Sequence, residues 1–153
     1  MALELVIVGD VPTSVELAPT KRVVAALTDS VTDLPEGVVN ASFVDRAESQ
    51  DFNVRYSGND YATDVLSFSY IEDGEAIDGV IGELAICTPI AAEQAEAAKT
   101  SLSDEIALLV LHGLLHLCGY DHQTEADQLK VQHLQEQLMS KAGNTYREFV
   151  WET

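Results

Sequence analysis

Basic residues are scarce in this chain of 153 residues. Eight lysines and arginines stand against 26 aspartates and glutamates, which gives a formal net charge of −18. A strongly acidic surface repels anions and lacks the basic footprint of most nucleic-acid-binding proteins. Taken alone, this charge argues against nucleic-acid binding, and we expect no DNA partner. The acidic residues are spread along the chain, which indicates an acidic folded surface and not a disordered acidic tail.

Cysteines and long apolar segments are scarce as well. The two cysteines, Cys87 and Cys118, are too few for a disulfide framework, which favours a reducing, cytoplasmic setting. We expect both thiols to be buried as small apolar side chains. No run of about 18 apolar residues occurs, so we expect no membrane span. The first five residues carry no basic stretch before an apolar run, so we expect no secretory signal.

The pattern that remains predicts a single α+β domain over residues 1–153. Strands come mostly first and helices mostly later, which favours a small four-stranded mixed sheet packed with four to five helices. Apolar, β-rich runs predict strands over residues 3–8, 38–44, 65–70 and 80–87. Helices are expected from Pro19, over 48–56, from a Thr88 cap, from a Ser103 cap to Leu117, and from a Thr124 cap to about Gly143.

Three of the four histidines of the chain lie in the run HGLLHLCGYDH, which covers residues 112–122. His112 and His116 are four residues apart, so a helix points both imidazoles to the same side. Gly119 can end that helix in a left-handed conformation and return His122 toward them. Three imidazoles with an open fourth position are typical of a catalytic zinc site. We predict one Zn²⁺ ion bound by these three histidines, with nickel, copper or iron as alternatives.

Other interpretations of the histidines stay open at this point. Because the helix is apolar on nearly all sides, His112 and His116 would otherwise be core residues bonded to carbonyl groups. A closed structural zinc site would need a fourth ligand. Cys118 is the nearest candidate, but it lies about 200° around the helix from His116. The remaining histidine, His133, has polar neighbours and is expected on the surface.

The spacing of the three histidines and the glycine is that of the long zinc-peptidase motif, so the helix is zincin-like. Those peptidases place a glutamate base directly after the first histidine, where this chain has Gly113. The candidate bases are Asp121, Glu83 and Asp64. Asp121 would equally serve to hold a ligand imidazole in its tautomer.

With these residues in view, the run resembles the signature H-G-x-L-H-L-x-G-Y-D-H of the YbeY family, bacterial zinc-dependent endoribonucleases of ribosomal RNA maturation. Three further segments are similar to family segments and occur in the same order. They are FVDRAE at 43–48, the stretch from Asp60 with TDVLSF at 63–68, and GELAIC at 82–87. The likeness covers roughly residues 40 to 140.

The resemblance implies that His112, His116 and His122 bind the metal and that the fold is a small mixed sheet with several helices. It implies hydrolysis of single-stranded RNA in 16S rRNA 3′-end maturation and ribosome quality control, with the small ribosomal subunit as partner and the cytoplasm as location. The family usually has an arginine where this chain has Ser57, so Arg55 is the candidate phosphate contact. The alternatives are a zinc peptidase or amidase with a remote base, and a non-catalytic, zinc-stabilised ribosome-assembly factor.

Overall fold

Nine helices and strands form within the residues that the computed structural model describes, which are 3–70, 79–120 and 123–148. The prediction of an α+β fold with a four-stranded mixed sheet and four to five helices is confirmed, and the described residues contain five helices. In chain order the elements are β1 (Leu3–Ile7), α1 (Ala18–Ser30), β2 (Gly37–Val44), α2 (Arg46–Ser57), β3 (Val65–Ser69), β4 (Val80–Cys87), α3 (Thr88–Ala98), α4 (Leu102–Leu117) and α5 (Glu125–Lys141).

The sheet has the strand order β1-β2-β4-β3. β1 and β2 pair in parallel, β2 and β4 also pair in parallel, and β3 lies antiparallel to β4 at one edge. The two parallel connections carry helices, as parallel pairs require. This arrangement places β4 in the interior of the sheet, beside the edge strand β3.

Helix α4 lies at the centre of the core. It contacts α1, α3 and α5 and lies against β3 and β4. Two glycines let it approach the sheet closely. A Cβ on Gly113 would lie 2.7 Å from Leu84 Cδ2, and a Cβ on Gly82 would lie 3.0 Å from Leu117 Cδ1. The helix therefore rests on β4 at a distance that larger residues at these positions would not allow.

Helix α2 covers the opposite face of the sheet. Ala85 and Cys87 of β4 pack with Phe52 of α2 in a small separate core. Leu84, which lies between them in sequence order, faces Gly113 of α4. Since successive residues of a strand point to opposite faces, α2 and α4 lie on opposite sides of the sheet.

The structure corrects two of the expected helix caps and confirms the third. Helix α4 is capped by Ser101, two residues before the expected Ser103. Ser101 Oγ accepts from the Asp104 N–H at 3.0 Å, while Ser103 Oγ accepts from the distant Glu16 N–H at 2.9 Å. Thr88 is not the cap of α3, since β4 runs directly into the helix and its last residue, Cys87, occupies the cap position. Thr124 caps α5 as predicted, by accepting from the Asp127 N–H.

Among the described helices, none combines the length and the apolar character needed to cross a bilayer.

Candidate metal centre

Between Ile106 and Leu117, the two histidines of α4 lie on the side of the helix that is not buried in the core. From Ile106 to Leu117 every residue is buried except His112, which is half-buried, and His116, which is exposed. The two imidazoles are one turn apart, so they point to the same side of the helix. The alternative that both are core histidines is wrong for His116. The expected burial of the rest of the helix is confirmed.

Gly119 ends α4 in the way its place in the run predicts. Its φ is +94°, in the region that favours glycine. The Gly119 N–H donates to the His116 carbonyl at 3.1 Å, and the Tyr120 N–H donates to the Leu115 carbonyl at 3.0 Å. These two bonds form a Schellman motif, which reverses the chain at the end of the helix. His122 and Asp121 follow the reversal and lie outside the described residues.

Helix α5 supplies a partner for His112 that sequence reasoning missed. Gln135 Oε1 lies 2.8 Å from His112 Nδ1, across the contact between α4 and α5. The Gln135 side chain is fully buried. It occupies the apolar stripe formed by Val131, Leu138 and Met139 at helical spacing. A glutamine within such an apolar stripe could have predicted this contact in part, because a buried amide needs a polar partner.

Gly113 explains why the base of the peptidase motif is missing. Its position faces β4, and Leu84, the residue that a Cβ would meet there, is 1% exposed. A glutamate at this position would have to enter the packed contact between helix and sheet. The residue after His112 is thus excluded as a base by packing as well as by its lack of a side chain.

The remote candidate base Glu83 faces away from α4. It neighbours Leu84 on β4 and so points to the face that α2 covers. There its Oε2 accepts from the Tyr70 hydroxyl at 2.6 Å. The pKa of Tyr70 is raised to about 12, mainly by this hydrogen bond and to a smaller extent by burial. The structure therefore does not bring Glu83 together with the histidines.

The other remote candidate, Asp64, belongs to a network near the start of α4. Its Oδ2 accepts from Gln94 Nε2 at 3.2 Å, and Gln94 also accepts from Arg147. Arg147 in turn forms a two-pronged ion pair with the buried Glu105 in the first turn of α4, at 2.6 and 2.5 Å. Glu105 precedes His112 by seven residues, which is about 10 Å along the helix axis. Asp64 is held at this distant end.

Both thiols lie in apolar surroundings, and the expected burial is complete only for Cys87. Cys87 is buried on the α2 side of the sheet, and Cys118 packs partly buried against the main core. Burial raises the pKa of the Cys118 thiol to about 11. Within 3–70, 79–120 and 123–148, no group of three histidine, cysteine or acidic side chains is placed to hold a metal ion.

Arg55 lies on α2 and therefore across the sheet from the two histidines. It is exposed and pairs with Asp51 one turn earlier in the helix. The neighbouring carboxylate raises the pKa of the guanidinium above its ordinary value. Arg55 Cζ also lies 5.7 Å from the centre of the Phe52 ring. His133 is exposed on α5, as its polar neighbours predicted.

Residues 10–143 match the family model described as Endoribonuclease YbeY. The chain belongs to the YbeY family. The Endoribonuclease YbeY of Staphylococcus saprophyticus is 40% identical over 115 residues, which cover 72% of this chain and 75% of that protein. The protein of the same name from Staphylococcus aureus is 40% identical over 114 residues, covering 70% and 74%. The solution structure of TM1509 from Thermotoga maritima has a TM-score of 0.63 and 26% identity, covering 90% of this chain and 88% of that one.

Membership of the YbeY family confirms the resemblance inferred from the histidine run. Because the family is described as an endoribonuclease, it also confirms the prediction of an enzyme that hydrolyses RNA. Two of the three predicted histidines lie together on the exposed stripe of α4 in this YbeY-family chain. Arg55, Glu83 and Asp64 lie elsewhere in the fold.

Proposed function

We propose that this chain is a metal-dependent endoribonuclease that cleaves single-stranded RNA in 16S rRNA 3′-end maturation and ribosome quality control. One Zn²⁺ ion would be held by His112, His116 and His122. The observation that carries the proposal is that, from Ile106 to Leu117, every residue of α4 is buried except its two histidines. The expected setting is the small ribosomal subunit in the cytoplasm, and the two free thiols are in keeping with a reducing compartment.

The donor set suits the metal. Neutral imidazoles are good ligands for zinc, and two of them already share one side of α4. The chain reverses direction at Gly119 and Tyr120, and His122 follows two residues later in the sequence. A zinc ion bound there would polarise a phosphoryl oxygen and lower the pKa of water to about 7. Asp121 would act beside it, either as the base or as the group that orients a ligand imidazole.

The face of the sheet under α2 supports a single-stranded RNA substrate. A cleft of about 520 Å³ lies there, and its lining includes Phe52, Tyr56 and Phe68. The ring centres of Tyr56 and Phe68 are 4.9 Å apart, and Tyr56 is exposed. Aromatic side chains bind unpaired bases by stacking, which does not depend on positive charge. Stacking on these rings would contribute to RNA binding by an acidic protein.

Arg55 would supply a phosphate contact at the edge of this aromatic surface. Its present partner, Asp51, is equally exposed, and exposed ion pairs exchange readily with water and other anions. Because Arg55 and the histidines lie on opposite faces, an RNA strand that contacts both would pass over the edge strand β3. The alternative of a peptidase with a remote base finds no support, since Glu83 bonds to Tyr70 on the other face of the sheet and Asp64 belongs to the network at the start of α4.

The test is a comparison of His112→Ala with His133→Ala. Both changes remove one imidazole, but His133 is exposed on α5 and has no proposed role. We expect His112→Ala to lose zinc, measured by elemental analysis, and to lose cleavage of ribosomal RNA. His133→Ala should keep both. Cleavage that persists in the wild-type protein after complete chelation would contradict the metal-dependent mechanism.

The RNA-binding side is tested separately with Arg55→Ala. We expect weaker binding of single-stranded RNA, measured by fluorescence anisotropy, and an unchanged zinc content. The matched control is Arg46→Ala at the start of the same helix, where the arginine also pairs with an exposed glutamate. Equal RNA affinity of the wild-type protein and both variants would remove Arg55 from the proposal.

A further inference from the structure

We propose that Gln135 is a positioning residue that fixes the tautomer and orientation of His112 for metal binding. This inference rests on the proposed function, because it assumes that His112 is a metal ligand. It starts from the contact between Gln135 Oε1 and His112 Nδ1 at 2.8 Å.

The chemistry of this contact determines which nitrogen of His112 binds the metal. A carboxamide oxygen can only accept a hydrogen bond, so Nδ1 must carry the proton. In a neutral imidazole the other nitrogen, Nε2, is then unprotonated, and an unprotonated nitrogen is what a metal ion requires. Gln135 thus stabilises the tautomer in which Nε2 is the ligand atom. A metal-binding histidine almost always donates its second N–H to a carboxylate, a carbonyl group or water.

Packing alone does not account for a glutamine at this position. Gln135 is fully buried, and its Nε2 has no hydrogen-bond partner among the described residues. A buried amide left without a partner destabilises the folded state. Leucine would fill the same stripe between Val131 and Leu138 without that cost. The amide is therefore explained by what its oxygen does for His112, and not by the stability of the helix pair.

The geometry also restricts the imidazole ring. His112 is on α4 and Gln135 is on α5, and the two residues are 23 positions apart in sequence. Because Gln135 is enclosed in the core, its oxygen is held at a fixed place relative to α4. The hydrogen bond therefore limits rotation of the ring, and ligands held in one orientation bind with less loss of entropy.

The experiment compares Gln135→Leu, Gln135→Glu and the control Gln137→Leu, which makes the same change at an exposed position of α5. The first measurement uses metal-free protein and long-range ¹H–¹⁵N spectra, which report the tautomer of His112. We expect the Nδ1-protonated form in the wild-type protein and a mixture of tautomers in Gln135→Leu. A wild-type His112 protonated on Nε2 would overturn the inference.

The second measurement is the zinc dissociation constant, obtained by competition with a chromophoric chelator. Gln135→Leu should bind zinc about 10- to 100-fold more weakly, the usual effect of removing such a partner. Gln135→Glu keeps an oxygen acceptor and should restore the affinity, while Gln137→Leu should match the wild-type protein. Equal zinc affinity of Gln135→Leu and the wild-type protein would overturn the inference.

The thermal midpoint of the metal-free proteins separates this role from a general loss of structure. Gln135→Leu should unfold at the wild-type temperature or above it, since it removes the unpartnered amide. A variant that is at least as stable but binds zinc more weakly has lost positioning and not folding. If the wild-type protein bound no zinc, the proposed function would fail, whereas the tautomer spectra would still decide the role of Gln135.

Discussion

Replacing Gly113 by alanine tests how closely α4 lies against the sheet. In an unconstrained helix interior this change stabilises a protein by about 1 kcal/mol, because glycine is a poor helix former. Here the new Cβ would lie 2.7 Å from Leu84 Cδ2, well inside the ordinary contact distance of about 3.5–4.0 Å. Leu84 is 1% exposed and cannot move its methyl group into solvent.

Two opposing contributions decide whether Gly113→Ala lowers or raises the free energy of unfolding. Inserting a methyl group into a filled core costs about 1–3 kcal/mol. The helix-propensity gain offsets about 1 kcal/mol of this cost. We therefore expect Gly113→Ala to lower the free energy of unfolding by up to about 2 kcal/mol. In a Leu84→Ala background the obstructing methyl groups are absent, and the same change should raise the free energy of unfolding by about 1 kcal/mol.

The assay is urea unfolding of the metal-free wild-type protein, both single variants and the double variant. Metal-free protein is used because bound zinc would add its own contribution to stability. The double-mutant cycle isolates the coupling between positions 84 and 113, which we expect to be about 1–3 kcal/mol. Stabilisation by Gly113→Ala in the wild-type background would refute the close contact and the packing explanation for the missing base.

Two further predictions concern groups outside the metal centre. Arg147→Met should lower the free energy of unfolding by about 3–5 kcal/mol in urea, since it leaves the buried Glu105 carboxylate without its cation, and adding Glu105→Leu should recover most of the loss. The pKa of Tyr70 is raised from about 10 to about 12, so its contribution to stability is present below pH 10 and declines as the pH rises to 12. In Tyr70→Phe, the free energy of unfolding should lack this decline between pH 10 and pH 12. The same decline in the variant as in the wild-type protein would contradict the hydrogen bond to the carboxylate.

The sequence predicted well those features that depend on neighbouring residues. The end of α4 at Leu117 follows from Gly119, and the hydrogen bonds of the chain reversal are formed within the six residues from Leu115 to Tyr120. The strand over residues 80–87 follows from one continuous β-rich run and matches β4. In such cases the residues that determine the structure are the residues that adopt it.

Features that depend on distant contacts were predicted less well. Ser101 and Ser103 are equally suitable caps by residue type, and the backbone of Glu16, 87 positions away, takes up the second hydroxyl. The contact between Gln135 and His112 requires that α5 pack against α4 at one register. No local pattern encodes that register, so a glutamine in an apolar stripe marks a buried amide without naming its partner.

The packing of α4 and the chemistry of the histidine run restrict one another. A helix enclosed on all sides but one can present reactive groups only along its exposed stripe, and His112 and His116 occupy that stripe from 106 to 117. Gly113 faces the sheet, so the close contact that seats the helix also removes the position from which zinc peptidases supply their base. Any general base of this enzyme must then come from outside α4. Asp121, which follows the chain reversal in the sequence and directly precedes His122, is the residue that we propose for it.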